Sequence, residues 1–157
     1  MLKIKIIVVD KTRAPFLKEG EAFYLDRIRR YGQTEWIEVK PVRITKGLPE
    51  EEVKKREGRA ILQKVETGDY LTALDRSGRQ YDSEGLAKWL KALSINIRGS
   101  VCFTIGGPIG LSTEILEKSG SVLALSKMTL THEMSRLVLL EQIYRAFTIL
   151  NGEKYHK

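Results

Sequence analysis

The pattern of apolar and polar residues alternates between strand and helix periods along the chain. Residues 3–9 first alternate and then become continuously apolar, which predicts a buried strand. Residues 15–31 carry apolar side chains at helical spacing, and Gly32 follows as a stop signal. A second strand is expected at 35–44, where Pro41 restricts it to a sheet edge or a bulge.

The same alternation continues to the carboxyl end of the chain. Pro49 opens a charged helix that ends by Gly68, and Ser83 is expected to cap another. The remaining expected elements are strands at 70–74, 100–105 and 121–125, a turn at 76–79, and helices at 113–118 and 132–150. This order predicts a single-domain α/β fold over 1–157, a mainly parallel sheet with helices on both faces.

The last helix, 132–150, is apolar nearly all round. One broad arc contains Leu139, Leu140, Ile143, Ala146, Phe147 and Leu150, and a second patch contains Val138 and Ile149. A helix of this kind is buried on more than one side. The sheet covers one side, and a second copy of the chain is the simplest cover for the other, so we expect a homodimer. A helix wedged inside a monomer is the alternative.

Arg136 interrupts the apolar arc of this helix. An unpaired buried guanidinium is very costly, so Arg136 must reach solvent, find a carboxylate or carbonyl, or face a polar site. Because it lies one turn from the start of the helix, we favour a role at a site or an interface.

Composition and charge narrow the class of protein. The net charge is +7, and residues 1–46 hold eleven Lys and Arg against six Asp and Glu, which favours a phosphate-bearing partner such as nucleic acid. Mild basicity for solubility is the alternative. Cys102 is the only cysteine, which excludes an intramolecular disulfide and fits a reducing cytosol. No apolar run approaches the roughly 20 residues of a membrane span, so we expect a cytoplasmic protein without membrane contact.

A glycine-rich loop, 106–110, follows the apolar strand expected at 100–105. Three glycines and a proline expose main-chain N–H groups to a neighbour. The loop has neither the Walker sequence nor the G-x-G-x-x-G spacing, and no serine lies in G-x-S-x-G. His132, His156 and Cys102 do not form a metal-ligand set. Taken alone, the loop is most simply a turn.

The order of the motifs toward the carboxyl end is more informative than any one of them. They are Ile105-Gly106-Gly107-Pro108-x-Gly110-Leu111, Leu125-Ser126-x-Met128-Thr129-Leu130-x-His132, Arg136, Glu141-Gln142-x-Tyr144-Arg145-Ala146 and Tyr155-His156-Lys157. In this order they resemble the RlmH family, SPOUT-class methyltransferases that act on large-subunit ribosomal RNA. Thr131 is a departure, because many members carry proline there.

The resemblance implies a specific fold and activity. It implies a trefoil knot near the carboxyl end, an obligate homodimer, and S-adenosylmethionine held in the knot. The implied reaction is methylation of N3 of a pseudouridine in 23S rRNA on assembled ribosomes. The implied cofactor contacts, which include the two adjacent glycines of the loop, are Leu74, Gly106, Gly107, Leu125, Ser126, Lys127, Met128, Thr129 and Leu130. The alternatives are a related enzyme acting on another RNA such as tRNA, and a ribosome-binding factor without catalysis.

Methylation at N3 also requires the loss of a weakly acidic proton, so a base or a nearby positive charge would help. The candidates are His132, Arg136, Arg145, Tyr155 and His156. In the family the carboxyl-terminal tail lies by the site and often reaches across the dimer. The simpler readings are that His132 is an exposed first-turn residue and that 155–157 is a frayed terminus. We assign no single general base.

Overall fold

Five parallel strands form one sheet in a computed structural model of the chain, which describes residues 2–157. The strands are β1 (Lys3–Val9), β2 (Gln33–Val39), β3 (Tyr70–Arg79), β4 (Val101–Ile105) and β5 (Ser121–Leu123). The helices are α1 (Pro15–Ile28), α2 (Glu50–Leu62), α3 (Ser83–Asn96), α4 (Thr113–Lys118) and α5 (His132–Leu150). The strand order is β2-β1-β4-β3-β5, and every pairing is parallel, which confirms the predicted alternating α/β architecture.

The sheet is covered on both faces, which explains why residues 6–9 of β1 are apolar at every position. Ile6 belongs to the core under α1, α3 and α5, whereas its neighbour Ile7 belongs to the core under α2 and α4. Successive residues of a strand point to opposite faces, so a strand covered on both sides needs an apolar residue at each position.

The predicted boundaries differ from the structure mainly at element ends. α1 ends at Ile28, three residues before the predicted end, and β2 ends at Val39, before Pro41. Proline has no N–H to donate to a neighbouring strand, so the chain leaves the sheet there. The residue that caps α3 is Asp82 rather than Ser83, and its side chain accepts a 2.6 Å hydrogen bond from the N–H of Gly85.

The turn predicted at 76–79 is wrong, because β3 continues irregularly to Arg79. Leu74 and Arg79 both pair with Leu123 of β5, and the Arg79 carbonyl accepts the N–H of Ala124 at 3.0 Å. At Gly78 a Cβ would lie 2.6 Å from the carbonyl carbon of Val122, so only glycine permits this approach. The end of β5 thus pairs with two separate parts of β3. This pairing is consistent with the expected knot, which remains a prediction.

Helix α5 packs against α1 and α3. Five members of its predicted main arc are buried, whereas the sixth, Leu150, is 37% exposed at the carboxyl end. Val138 and Ile149 of the second patch are only partly buried. The apolar surface around α5 is therefore covered on the sheet side and left partly open on the other. No helix within residues 2–157 is long and apolar enough to cross a membrane.

Candidate functional site

A cavity of about 700 Å³ opens at the carboxyl edge of the sheet. Its walls are residues 74–76 of β3, where the regular pairing with β5 is interrupted, the glycine loop after β4, and the segment between β5 and α5. Parallel α/β sheets place their ligands at this edge, and the volume suits a small molecule.

Most of the predicted cofactor residues meet at this cavity. Its lining includes Leu74, Gly106, Gly107, Leu125, Ser126, Met128, Thr129 and Leu130. Lys127 is exposed and is absent from the lining. The structure therefore brings three separate segments of the chain together, as the motif order predicts.

One glycine of the glycine loop is required by close contact within the loop's own backbone. A Cβ at Gly106 would lie 2.6 Å from the carbonyl carbon of Gly110, whereas a Cβ at Gly107 would lie 3.5 Å from Val9 Cγ1 and 3.6 Å from Glu57 Oε1. The N–H of Gly110 closes the loop on the carbonyl of Gly107 at 3.0 Å. The backbone of the loop itself therefore excludes a side chain at Gly106, and cofactor contact at the two glycines stays a prediction.

Side-chain hydrogen bonds fix the segment between β5 and α5. The Ser126 hydroxyl accepts the N–H of Met128 at 2.9 Å, and the Thr131 hydroxyl accepts the N–H of Met134 at 3.1 Å. Thr131 is thus the N-cap of α5, a role that a proline side chain could not perform. Threonine at this position stabilises the first turn of the helix at the wall of the cavity.

His132, the first residue of α5, lines the cavity. His132 is partly buried, which argues against the alternative that it is simply an exposed residue of the first helical turn. Burial lowers the pKa of His132, and the positive charge of Arg136 lowers it further. The imidazole is therefore neutral at neutral pH and able to accept a proton.

Arg136 does not face the cavity, in contrast to the expectation of a site-facing side chain. It is fully buried, and its guanidinium donates to the Val9 carbonyl at 2.6 Å and to the Thr12 hydroxyl at 2.9 Å. The Thr12 hydroxyl donates in turn to Glu21 at 2.8 Å. The Val9 carbonyl, one of the alternatives for this residue, accepts one N–H of the guanidinium, whereas the buried Nε has no hydrogen-bond partner among residues 2–157. Arg136 thus ties the start of α5 to the end of β1.

Arg145, Tyr155 and His156 form a second cluster with Glu141. Arg145 donates to Glu141 Oε1 at 2.5 and 3.0 Å, and the Tyr155 hydroxyl donates to the same oxygen at 3.1 Å. His156 Nδ1 lies 3.3 Å from Arg145 Nη1. Burial raises the pKa of Tyr155, and hydrogen bonds to Tyr24 and Glu141 raise it further. We call these four residues the tail cluster.

The tail cluster lies outside the cavity lining. His132 and Arg145 are separated by thirteen positions of one helix, which corresponds to about 20 Å along its axis. The tail packs against the body of the protein instead of fraying. The ring centroids of Tyr155 and Tyr144 are 4.7 Å apart, and the Tyr31 hydroxyl donates a 2.7 Å hydrogen bond to Glu153. Within one chain the catalytic candidates other than Arg136 therefore fall into two groups.

Three residues of these groups were not among the candidate site residues. Glu141, part of a motif named above, is the acceptor that holds the tail cluster together, and its i,i+4 spacing from Arg145 already indicates this pair. Asp75 and Arg76 line the cavity because they follow Leu74 at the carboxyl end of a predicted strand. No group of three His, Cys, Asp or Glu side chains that could hold a metal ion occurs among residues 2–157.

Comparisons with known proteins agree with this geometry. Residues 2–156 match the family model described as "Predicted SPOUT methyltransferase". Two relatives are each 43% identical to this chain over an alignment of 159 positions, which covers 99% of this chain and 100% of theirs. They are proteins named "Ribosomal RNA large subunit methyltransferase H" from Bacillus cytotoxicus and Bacillus anthracis.

Two solved structures share the fold at low sequence identity. A probable methyltransferase from Bordetella pertussis has a TM-score of 0.58 at 13% identity, covering 93% of this chain and 95% of that one. A probable rRNA methyltransferase from Porphyromonas gingivalis has a TM-score of 0.52 at 14% identity, covering 95% and 70%.

Proposed function

Because this chain belongs to the RlmH family of SPOUT methyltransferases, we propose that it methylates N3 of a pseudouridine in large-subunit ribosomal RNA, with S-adenosylmethionine as donor. Relatives that match its full length are named for methylation of large-subunit ribosomal RNA. The observation that carries the proposal is the cavity at the carboxyl edge, where two of the family motifs meet beside Leu74.

The residues around the cavity fit a sulfonium nucleoside. Main-chain groups of residues 125–130 and of Gly106 and Gly107 would hold it between apolar walls formed by Leu74 and Leu130. The molecule has no phosphate, so the absence of a Walker lysine from the loop is expected. When bound, S-adenosylmethionine supplies an electrophilic methyl group.

The protein supplies position and a proton acceptor. We assign His132 as the base that takes the N3 proton, because it lines the cavity and burial keeps its imidazole neutral. Arg76, also in the lining, supplies positive charge beside a developing anion on the base. Correct placement of the two reactants lowers the activation free energy by several kcal/mol, which is the larger of the two contributions.

A homodimer would join the two groups of candidates. Phe16 and Phe23 of α1 are 67% and 48% exposed, and Met134 of α5 is 37% exposed, so these packed helices present an apolar surface. We propose that a second copy covers it and brings its own tail cluster to the cavity. The separation of about 20 Å between His132 and Arg145 along α5 supports this arrangement, because one chain cannot bring them together.

Mixed dimers test the shared site. His132→Ala and His156→Ala homodimers should both be inactive in a methyl-transfer assay on ribosomes from a strain that lacks this gene. In a mixed dimer, one cavity carries both changes and the other carries neither. Random re-pairing of equal amounts should therefore restore about a quarter of wild-type activity, since half of the dimers are mixed. A site built within one chain would give no recovery, and each variant re-paired with itself is the control.

Two further measurements separate the alternatives. Calorimetry should detect S-adenosylmethionine binding, and its absence at millimolar concentration would leave a ribosome-binding factor without catalysis. Mass mapping of rRNA from the deletion strain should show one missing methyl group on a pseudouridine. An unchanged rRNA in that strain would direct the search to another RNA, such as tRNA.

A further inference from the structure

The loop between β2 and α2 is a basic segment of the surface. Residues 40–49, which we call the basic loop, contain Lys40, Arg43 and Lys46 and no acidic residue. All three side chains are exposed, and none forms an ion pair within the part of the chain that the structure describes. By contrast, Lys54 and Arg56 of the following helix pair with Glu51 and Glu52.

The basic loop starts at the same edge of the sheet as the cavity. Val39, the last residue of β2, pairs with Val9 of β1, and the preceding Val8 pairs with Ile105 of β4. Lys40 and the glycine loop therefore leave the sheet at the same level. They are two strand spacings apart, which is about 10 Å.

A buried carboxyl group joins the basic loop to the glycine loop. Glu57 of α2 is 4% exposed, and its Oε2 accepts the N–H of Val42 at 3.1 Å. Its Oε1 has no hydrogen-bond partner and lies 3.6 Å from the position of a Cβ at Gly107. Glu57 thus fixes one end of the basic loop directly behind the wall of the cavity.

Three exposed cations in one loop that form no ion pair suit a polyanion. Each Lys or Arg that contacts a phosphate releases condensed counterions, which favours binding and makes it salt-dependent. An acidic protein surface could also neutralise the charge, but the cavity beside the loop is the proposed site of an RNA base. We propose that the basic loop binds the phosphate backbone of the substrate RNA next to the nucleotide in the cavity. This inference rests on the function proposed above.

Charge-matched variants test the inference. Lys40→Ala/Arg43→Ala/Lys46→Ala removes three charges from the basic loop, and Lys64→Ala/Lys88→Ala/Lys91→Ala removes three exposed charges elsewhere. Affinity for ribosomes from the deletion strain is measured between 50 and 300 mM salt. The slope of log K against log salt is negative, and in the loop variant its magnitude should decrease by about 2 to 3, because each lost phosphate contact removes about 0.7 to 0.9. The control should keep the wild-type slope.

The failure of this inference differs from the failure of the proposed function. If the wild-type protein neither binds these ribosomes nor methylates their rRNA, the proposed function fails. If the wild-type protein is active and the loop variant keeps its slope, only the assignment of the loop fails. S-adenosylmethionine affinity should stay within about twofold in both variants, since the basic loop lies outside the cavity lining.

Crosslinking identifies the partner of the loop. Arg43→Cys can be labelled with a photoreactive group selectively, because Cys102 is fully buried and burial raises its thiol pKa to about 12. Irradiation on the ribosome should yield a crosslink to rRNA. A crosslink to a ribosomal protein alone, or none at all from an active labelled enzyme, would overturn the assignment to RNA.

Discussion

Adjacent glycines at 106 and 107 offer a matched pair of substitutions with opposite expected results. An added methyl group at Gly106 would lie 2.6 Å from the carbonyl carbon of Gly110 and 2.7 Å from its oxygen. Non-bonded carbon atoms prefer a separation of about 3.5 to 4.0 Å, so the loop must open by about 1 Å. At Gly107 the nearest atom, Val9 Cγ1, would be 3.5 Å from the methyl group, which is an ordinary contact.

The steric difference converts into an expected loss of affinity. Overpacking of this size costs about 1 to 3 kcal/mol. If the cofactor needs the closed loop, Gly106→Ala should weaken S-adenosylmethionine binding by about 5- to 150-fold, whereas Gly107→Ala should change it by less than about threefold. Strain that remains in the unbound protein should also lower the melting temperature of Gly106→Ala by about 2 to 12 °C.

Isothermal calorimetry of both variants with S-adenosylmethionine, together with thermal unfolding, measures these effects. Equal affinities for the two variants would refute the reasoning, because the glycine loop would then have no closed form that binding requires. A larger loss for Gly107→Ala would show that the cofactor approaches from the side of Val9 and Glu57.

Three further changes test buried groups. Burial lowers the pKa of His132 below its usual 6.5, so the folded protein loses stability as pH falls below 6.5. Urea unfolding between pH 7 and 5.5 should therefore show a smaller loss of stability for His132→Asn than for the wild type. Burial raises the pKa of Glu57 above 4.5, so stability falls as pH rises through the folded pKa. Glu57→Gln should therefore be more stable than wild type at pH 8 and equal to it at pH 4.5, and Glu117→Gln, on the surface, should show neither change. Arg136→Met should lower the free energy of unfolding by about 3 kcal/mol or more, and unchanged stability would show that its two hydrogen bonds are not needed. Arg136→Lys should recover only part of this loss, because an ammonium group cannot reproduce the fork of a guanidinium.

The sequence by itself determined the architecture and the location of the cavity. The continuous apolar run at residues 6–9 of β1 requires cover on both faces, and strict alternation of strands and helices requires a parallel sheet. The resemblance to the RlmH family implied that the glycine loop and Leu74 contact one cofactor, and both line the cavity. The architecture depends on local periodicity and chain order, which a sequence displays directly.

Tertiary structure decided which charged groups face that cavity. Arg136 finds its partners at Val9 and Thr12, more than 120 positions earlier, and nothing in the helical pattern of α5 specifies them. The same helix carries His132 to the cavity and Arg145 to a separate cluster about 20 Å away, although both had been candidates for one site. Contacts between residues distant in sequence depend on the path of the whole chain. For this reason the direction and partners of a buried charge emerge only when the elements are packed.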